Sequence, residues 1–471
     1  MTWLVRSFFP VATLVWAIST SWIASPVLSQ QPEAEQEEQT SLKPAEIPPK
    51  TPTAAETAPT PATQTPAADS AVSPLTTGGV QVVDGEGAAE GTMSPEDYRE
   101  ELLKDPEYVA ELDKRSAAYK KTRDNLIVAV ADQRETFVRY LNRDVRNAEA
   151  RKLFFEQRDI VQTRLDENYD AALALTMMGE YNEDAITFLV TMIQHRFENS
   201  IYDGSTLQGA TFLMDNNSQL EYIWKAAARS AVVTGQFETA RKIYDVLKKP
   251  EVLGENEFNE TDGSLSFYLD EHEQQFKQET EVRKKETAED NLPQVLLKTT
   301  QGDVLLELFI NQAPSAVSHF IKLVESGFYD ELDFQLVIQD MLALTGDPSG
   351  DGTGNSGEFL QDEHQREDAR QGLRGALLMA KIPMDESGNF FPDSGSSQFT
   401  ILLLPVVSAS KKQTVFGRVI KGMNAISRLR RVDPNKKKEK GDIIQPPDFI
   451  IEATVVRKPE TLPEPIYVDP T

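Results

Sequence analysis

A chain of 471 residues exceeds what one core usually serves, so at least two folded domains plus unstructured chain are expected. Its 75 acidic against 48 basic residues give a formal charge of -27, which repels phosphates and excludes non-specific binding to nucleic acid or anionic lipid. With no cysteine, the chain has no disulfide, thiolate metal site, catalytic thiol or lipid-modified N-terminal cysteine.

Met1 to Arg6 carries one positive charge, Ser7 to Ile23 is almost wholly apolar, and Val27-Leu28-Ser29 offers small residues at the spacing of a signal-peptidase cut. Residues 1–29 are therefore expected to be a signal peptide on an exported protein, periplasmic or extracellular. The alternative is an uncleaved N-terminal membrane anchor, because the apolar run approaches the roughly 20 residues that span a bilayer. Residues 30–91 are rich in Pro, Thr, Ala, Glu and Gln and hold few large apolar side chains. Such chain cannot bury enough surface to offset the entropy of ordering, which predicts a disordered linker.

Residues 92–250 read as an α-helical, repeat-like domain. Ser94 is placed to cap a helix with Pro95 at its first position, and neither glycine nor proline occurs between Glu107 and Met178. Leu126, Val130, Phe137, Leu141 and Val145 fall at helical spacing, and Leu153, Phe154, Ile160, Val161 and Leu165 carry the stripe onward. Helical hairpins are predicted about the turns Gly179-Glu180-Tyr181 and Gly235-Gln236-Phe237. The second, with Ala240, is weakly similar to tetratricopeptide repeats, although the two hairpins are spaced too widely for a regular array. Gly254 to Gly263 breaks the pattern, Phe267 to Glu289 predicts a charged helix, and 251–292 reads as a charged helical linker.

From residue 293 to 458 the period shifts to alternation, as in Val295-Leu296-Leu297-Lys298-Thr299 and Val304-Leu305-Leu306-Glu307-Leu308. Pro314 marks a helix start and Gly327 its stop. Several fragments then appear in a fixed order: Thr300-Gln301-Gly302, Ala313-Pro314-Ser315, Ser326-Gly327-Phe328-Tyr329-Asp330, Phe334-Gln335-Leu336-Val337-Ile338, Gly346-Asp347-Pro348, Gly352-Thr353-Gly354, Leu378-Met379-Ala380, Ser397-Gln398-Phe399 and Val415-Phe416-Gly417. In that order they resemble the cyclophilin-type peptidyl-prolyl cis-trans isomerases. The resemblance implies a mainly antiparallel eight-stranded β-barrel with covering helices, ending in a strand at Phe449 to Val456, with 459–471 as a tail. It also implies proline-containing peptide or protein clients and no cofactor.

Rotation about an X-Pro bond is opposed by amide resonance, with a barrier of roughly 18 to 20 kcal/mol. The family lowers it with an arginine donor directed at the prolyl nitrogen, an apolar pocket for the ring and polar groups for the flanking carbonyls. Matched residue by residue, that arginine falls on Leu336, the aromatic of the pocket floor on Met341, its methionine neighbour on Leu342 and the bracing glutamine on Leu344. Ala380 and Gln398 are retained, Lys381 replaces an asparagine, Thr400 replaces an aromatic, and Gln413 falls near the family's histidine. Lys381 is the one cation the match places on the rim, while Arg366, Arg370 and Arg374 read as solvated members of a polar loop. His195, His272, His319 and His364 are scattered, and the glycine-rich run from Asp347 to Gly354 fits the family's turn better than a calcium or phosphate loop. The expectation is a degenerate pocket with no confidently assigned catalytic residue, in a protein that binds peptide, assists folding or acts as scaffold. The alternative is an active isomerase with a rearranged site. A groove on the helical domain would present itself to a protein partner. The basic run around Lys436, Lys437, Lys438 and Lys440 reads as a solvated loop.

Overall fold

The computed structural model describes residues 95–141, 148–179, 181–249, 259–384, 388–433 and 447–469. The segments read as export signal and linker, the Ser94 cap and the four lysines of the basic run lie outside them.

The helical region comprises α1 (Pro95–Leu102), α2 (Pro106–Leu141), α3 (Ala148–Thr176), α4 (Glu183–Glu198), α5 (Gly204–Asp215), α6 (Glu221–Val233) and α7 (Phe237–Leu247). α2 and α3 run antiparallel: Thr122 bonds Asn168, Gln157 donates to the Ala129 carbonyl, and the Phe137 and Phe154 rings lie 5.5 Å apart. Leu126, Val130, Val161 and Leu165 of the predicted stripe are buried in that seam. α5 carries Gly209 on its buried face, beside Leu207, Ala210 and Leu213. Gly209 has a packing reason, since a Cβ there would overlap the Tyr169 hydroxyl. α8 (Glu260–Phe267) begins inside the stretch read as a helix break, where the Asn259 side chain accepts from the Asp262 amide at 2.9 Å. α9 (Leu269–Glu289) follows.

The described residues that follow comprise β1 (Gln294–Thr299), β2 (Gly302–Leu308), α10 (Pro314–Glu325), β3 (Leu336–Ile338), β4 (Leu342–Thr345), β5 (Phe359–Leu360), β6 (Ala376–Met379), β7 (Phe399–Leu402), α11 (Ala409–Lys412), β8 (Val415–Lys421), α12 (Met423–Ser427), β9 (Ile450–Arg457) and β10 (Tyr467–Val468), the strands other than β5 and β10 forming an antiparallel barrel. Eight strands follow the order β3-β4-β7-β6-β8-β2-β1-β9. Bridges Asp333 to Phe449 and Val337 to Val432 bring the β3 end back to β9. Phe320, Tyr329, Phe399 and Phe416 fill the interior with ring centroids 5.0 to 6.1 Å apart. Residues 459–471, read as a tail, include β10, which pairs with β5.

Helices and barrel meet through buried ion pairs. On α9, Glu279 and Glu286 both bond Arg370, whose guanidinium lies 3.6 Å from the Phe309 ring centre. Arg370 is thus not solvated: its loop lies beneath the acidic face of α9. Arg374 is likewise engaged, by the carbonyls of Leu403 and Ser200 and the Ser427 hydroxyl, whereas Arg366 is exposed.

The buried histidines make stability acid-sensitive. Burial lowers His195, His272 and His319 from 6.5 to about 4, with cations near His195 and Lys322 near His319 acting in the same direction and Glu271 opposing it at His272. Between those values the unfolded chain binds protons that the folded chain refuses. The stabilisation is therefore complete above pH 6.5 and is lost as pH falls toward 4. The melting temperature should decline over that window, and a flat profile from pH 7 to 5 would contradict the assignment.

Candidate functional site

The register of the sheet decides which predicted residues come together. Leu336 pairs with Leu344, Leu344 with Thr400, and Thr400 with Leu378, so one row crosses β3, β4, β7 and β6. The next row, Val337, Ala343, Ile401 and Leu377, is fully buried in the barrel interior. Because strand side chains alternate with period two, the first row faces away from that interior. Leu342 lies on the same outer face, opposite Leu402, and so do Ala380 and Gln398, joined by a 2.9 Å bond from the Ala380 amide to the Gln398 carbonyl. Of the predicted pocket positions, Leu336, Leu342, Leu344, Ala380 and Gln398 thus lie half-buried on one largely apolar face, with Thr400 buried among them. This face continues into a buried cluster containing Phe309, Leu378, Leu402, Ala409 and Val415.

Met341 stands at the edge of this surface, 48% exposed, in the turn between β3 and β4. Gln413, after α11, donates to the Met379 carbonyl at 3.3 Å. The retained glutamine is already engaged: Gln398 Nε2 donates to the carbonyls of Gly352 at 3.1 Å and Gly354 at 2.7 Å. The Gln335 amide stands 3.1 Å from Gln398 Oε1; turned over, it would donate to the carbonyls of Leu344 and Asp333 instead. Gln398 therefore fastens the loop from Asp347 to Gly354 against β7. Asp347 closes that loop from within by accepting from the amides of Ser349 and Gly352. At the loop's start Gly346 takes φ +92°, and a Cβ there would collide with the Ser397 carbonyl, which explains the Gly-Asp-Pro sequence.

Lys381 is not available as a relocated donor. Its ammonium bonds Asp362 at 2.5 Å, and its side chain is 4% exposed. Asp362 also accepts from the Asp393 amide, which fixes the pair at the base of the segment from Ile382 to Ser396. That segment opens as a hairpin, with Met384 donating to the Asn389 carbonyl and Phe391 to the Ile382 carbonyl.

Asp362 and Asp340 shape the site and escape a reading by motif. Asp340, immediately before Met341, accepts from Ser200 Oγ and Tyr202 OH at 2.7 Å each and from Arg229 at 2.6 Å. These partners precede it by 111 to 140 residues. The one local signal is its turn position, φ +59°, a conformation that aspartate tolerates.

Residues 294–455 match the family model described as cyclophilin type peptidyl-prolyl cis-trans isomerase/CLD. Peptidyl-prolyl cis-trans isomerase-like 1 of Neurospora crassa is 34% identical over 168 residues, covering 35% of this chain and 94% of the relative. The Homo sapiens protein of the same name is 33% identical over 148 residues, 31% of this chain and 84% of the relative. A solved cyclophilin type peptidyl-prolyl cis-trans isomerase of Cryptosporidium parvum aligns at 26% identity and a TM-score of 0.30, over 36% of this chain and 99% of that one. The family match begins at β1, downstream of the helical region.

Proposed function

Because the chain belongs to the cyclophilin-type peptidyl-prolyl cis-trans isomerase family, we propose that its barrel receives extended proline-containing segments and holds them without efficient turnover. The observation that carries this reading is the half-buried pair Leu336 and Leu344, two leucines where the family places its donor and the group that braces it, backed by the buried Thr400 and Leu378 of the same row. Catalysis needs a donor prearranged for the twisted amide. Lys381 is held by Asp362, and the amide of Gln398 by two loop carbonyls. An apolar strip flanked by backbone groups suits recognition of a proline ring rather than attack on amide resonance. Such a module would act as a folding helper or scaffold, and the pattern of residues 1–29 favours a place outside the cytoplasm. N-terminal sequencing of the mature protein distinguishes cleavage near Ser29 from a retained anchor.

Titration of the full chain with proline-containing peptides tests the binding reading. The wild type should bind a subset of them. Leu336→Glu should weaken binding at least about tenfold, because a carboxylate on the strip must lose water when the peptide covers it. Circular dichroism serves as the folding control. No binding by the folded wild type across a broad peptide set would leave the barrel as scaffold.

A further inference from the structure

We propose that the helical region sets the shape of the peptide surface through one positioning residue, Asp340, which Ser200, Tyr202 and Arg229 hold in the turn between β3 and β4. The proposal deepens the recognition reading and rests on it for its binding arm. The turn is short: Ile338 ends β3, Leu342 begins β4, and Asp340 sits between Gln339 and Met341. Leu336, Met341, Leu342 and Leu344 therefore all lie within four residues of Asp340. A movement of this turn changes the outline of the surface that the peptide would meet.

Nothing within the turn accounts for how firmly Asp340 is held. Both carboxylate oxygens are engaged by the helical region, and its backbone amide is directed at Ser200 Oγ, at 3.2 Å. The partners are themselves fixed. Arg229 is 1% exposed and makes a two-bond pair with Asp262 of α8 at 2.9 and 2.7 Å, and it bonds Tyr202 OH at 2.9 Å. Burial opposes the charge on Arg229, but the Asp262 hydrogen bonds and the surrounding anionic groups more than offset this and hold it protonated. The Ser200 carbonyl in turn accepts from Arg374 and from Ser427 Oγ on the barrel. One residue of the β3–β4 turn is thereby joined to α6, α8 and the segment between α4 and α5. Charge-assisted bonds of this kind are stronger than neutral ones and directional, so they specify one position of the turn.

The experiment uses the full chain and two substitutions. Tyr202→Phe removes one hydroxyl and leaves the ring, and Asp340→Ala removes the carboxylate. Hydrogen exchange reads residues 338–342, with amides of β8 and β9 as the internal reference. Titration with the tetrapeptide Ala-Ala-Pro-Phe, well below the melting temperature, reads affinity. Loss of one hydrogen bond to a charged group predicts about tenfold faster exchange confined to the turn in Tyr202→Phe and a larger change in Asp340→Ala, with peptide affinity falling in the same order. General destabilisation would instead speed exchange in β8 and β9 as well. Unchanged protection of the turn in both folded variants overturns the proposal. So does faster exchange of the turn with unchanged affinity. If the wild type binds no peptide, the recognition reading fails, while the exchange arm still decides whether Asp340 fixes the turn.

Discussion

The full chain is expected to isomerise X-Pro peptides at least about a hundredfold more slowly than members of the family that retain the arginine. Removing one donor directed at the transition state costs about 2.7 to 4 kcal/mol, a hundredfold to a thousandfold in rate. Here Leu336 offers no donor, and its cross-strand partner Leu344 offers nothing to orient one. Thr400, next in the row, lacks the aromatic wall. Leu336→Arg alone should therefore restore less than about tenfold of the deficit, since a guanidinium set beside two leucines is unbraced and its long side chain loses entropy when fixed. The triple change Leu336→Arg, Leu344→Gln, Thr400→Phe should recover more than the sum of its parts, as residues acting as a unit do. The measurement is a protease-free isomerisation assay by exchange spectroscopy. Wild-type turnover comparable to that of arginine-bearing relatives would refute the argument, and full recovery from Leu336→Arg would show that the remaining pocket was already competent.

The barrel was legible because its signals are local. Pro314 starts α10, which runs to Glu325, and Gly327 takes φ +73° just beyond it, as the sequence pattern implies. Alternation in Val304 to Leu308 appears as alternating burial along β2. Of the positions matched to the family pocket, the register brings Leu336, Leu342, Leu344 and Thr400 onto one face. The ion pairs were not legible. Arg370 and Arg374 sit among Gln, Glu, Asp and Gly, a composition that reads as a solvated loop, and their burial depends on chain far away in sequence. Glu279 precedes Arg370 by 91 residues, and helical periodicity on α9 marks no apolar stripe that would announce a buried face. Lys381 illustrates the same limit: a rim cation by position becomes a buried, paired one because Asp362 lies beside it. α5 and α8 were obscured by glycine and asparagine, which sequence patterns treat as breakers. In the fold Gly209 allows a close approach, and Asn259 caps a helix start.

Breaking the pair between α9 and the barrel should have the largest effect on stability. Arg370 has a side chain 2% exposed, bonds Glu279 and Glu286, and stacks on Phe309. Burial alone would raise the Glu279 carboxyl, but the bonds from Arg370 and Arg283 and their charges outweigh it and hold the group below 4.5. Arg370→Met keeps much of the stacked apolar volume and removes the main cation of the seam, leaving Glu279 with Arg283 and Arg418 and Glu286 with Arg418. Removing one member of a buried ion pair costs about 3 to 5 kcal/mol where the partner is left uncompensated, and the remaining arginines place this cost at or below the lower end of that range. Adding Glu279→Gln should return part of that loss, because one under-compensated carboxylate is then neutral. Urea unfolding of the wild type, both single variants and the double variant closes the cycle, and the coupling between Arg370 and Glu279 should exceed about 1 kcal/mol. Limited proteolysis should also find the segment before α9 more susceptible in Arg370→Met, since the helix loses its anchor on the barrel. Additive effects in the cycle would mean that Glu279 and Arg370 are neighbours without energetic consequence, and α9 would then be held by its apolar contacts alone.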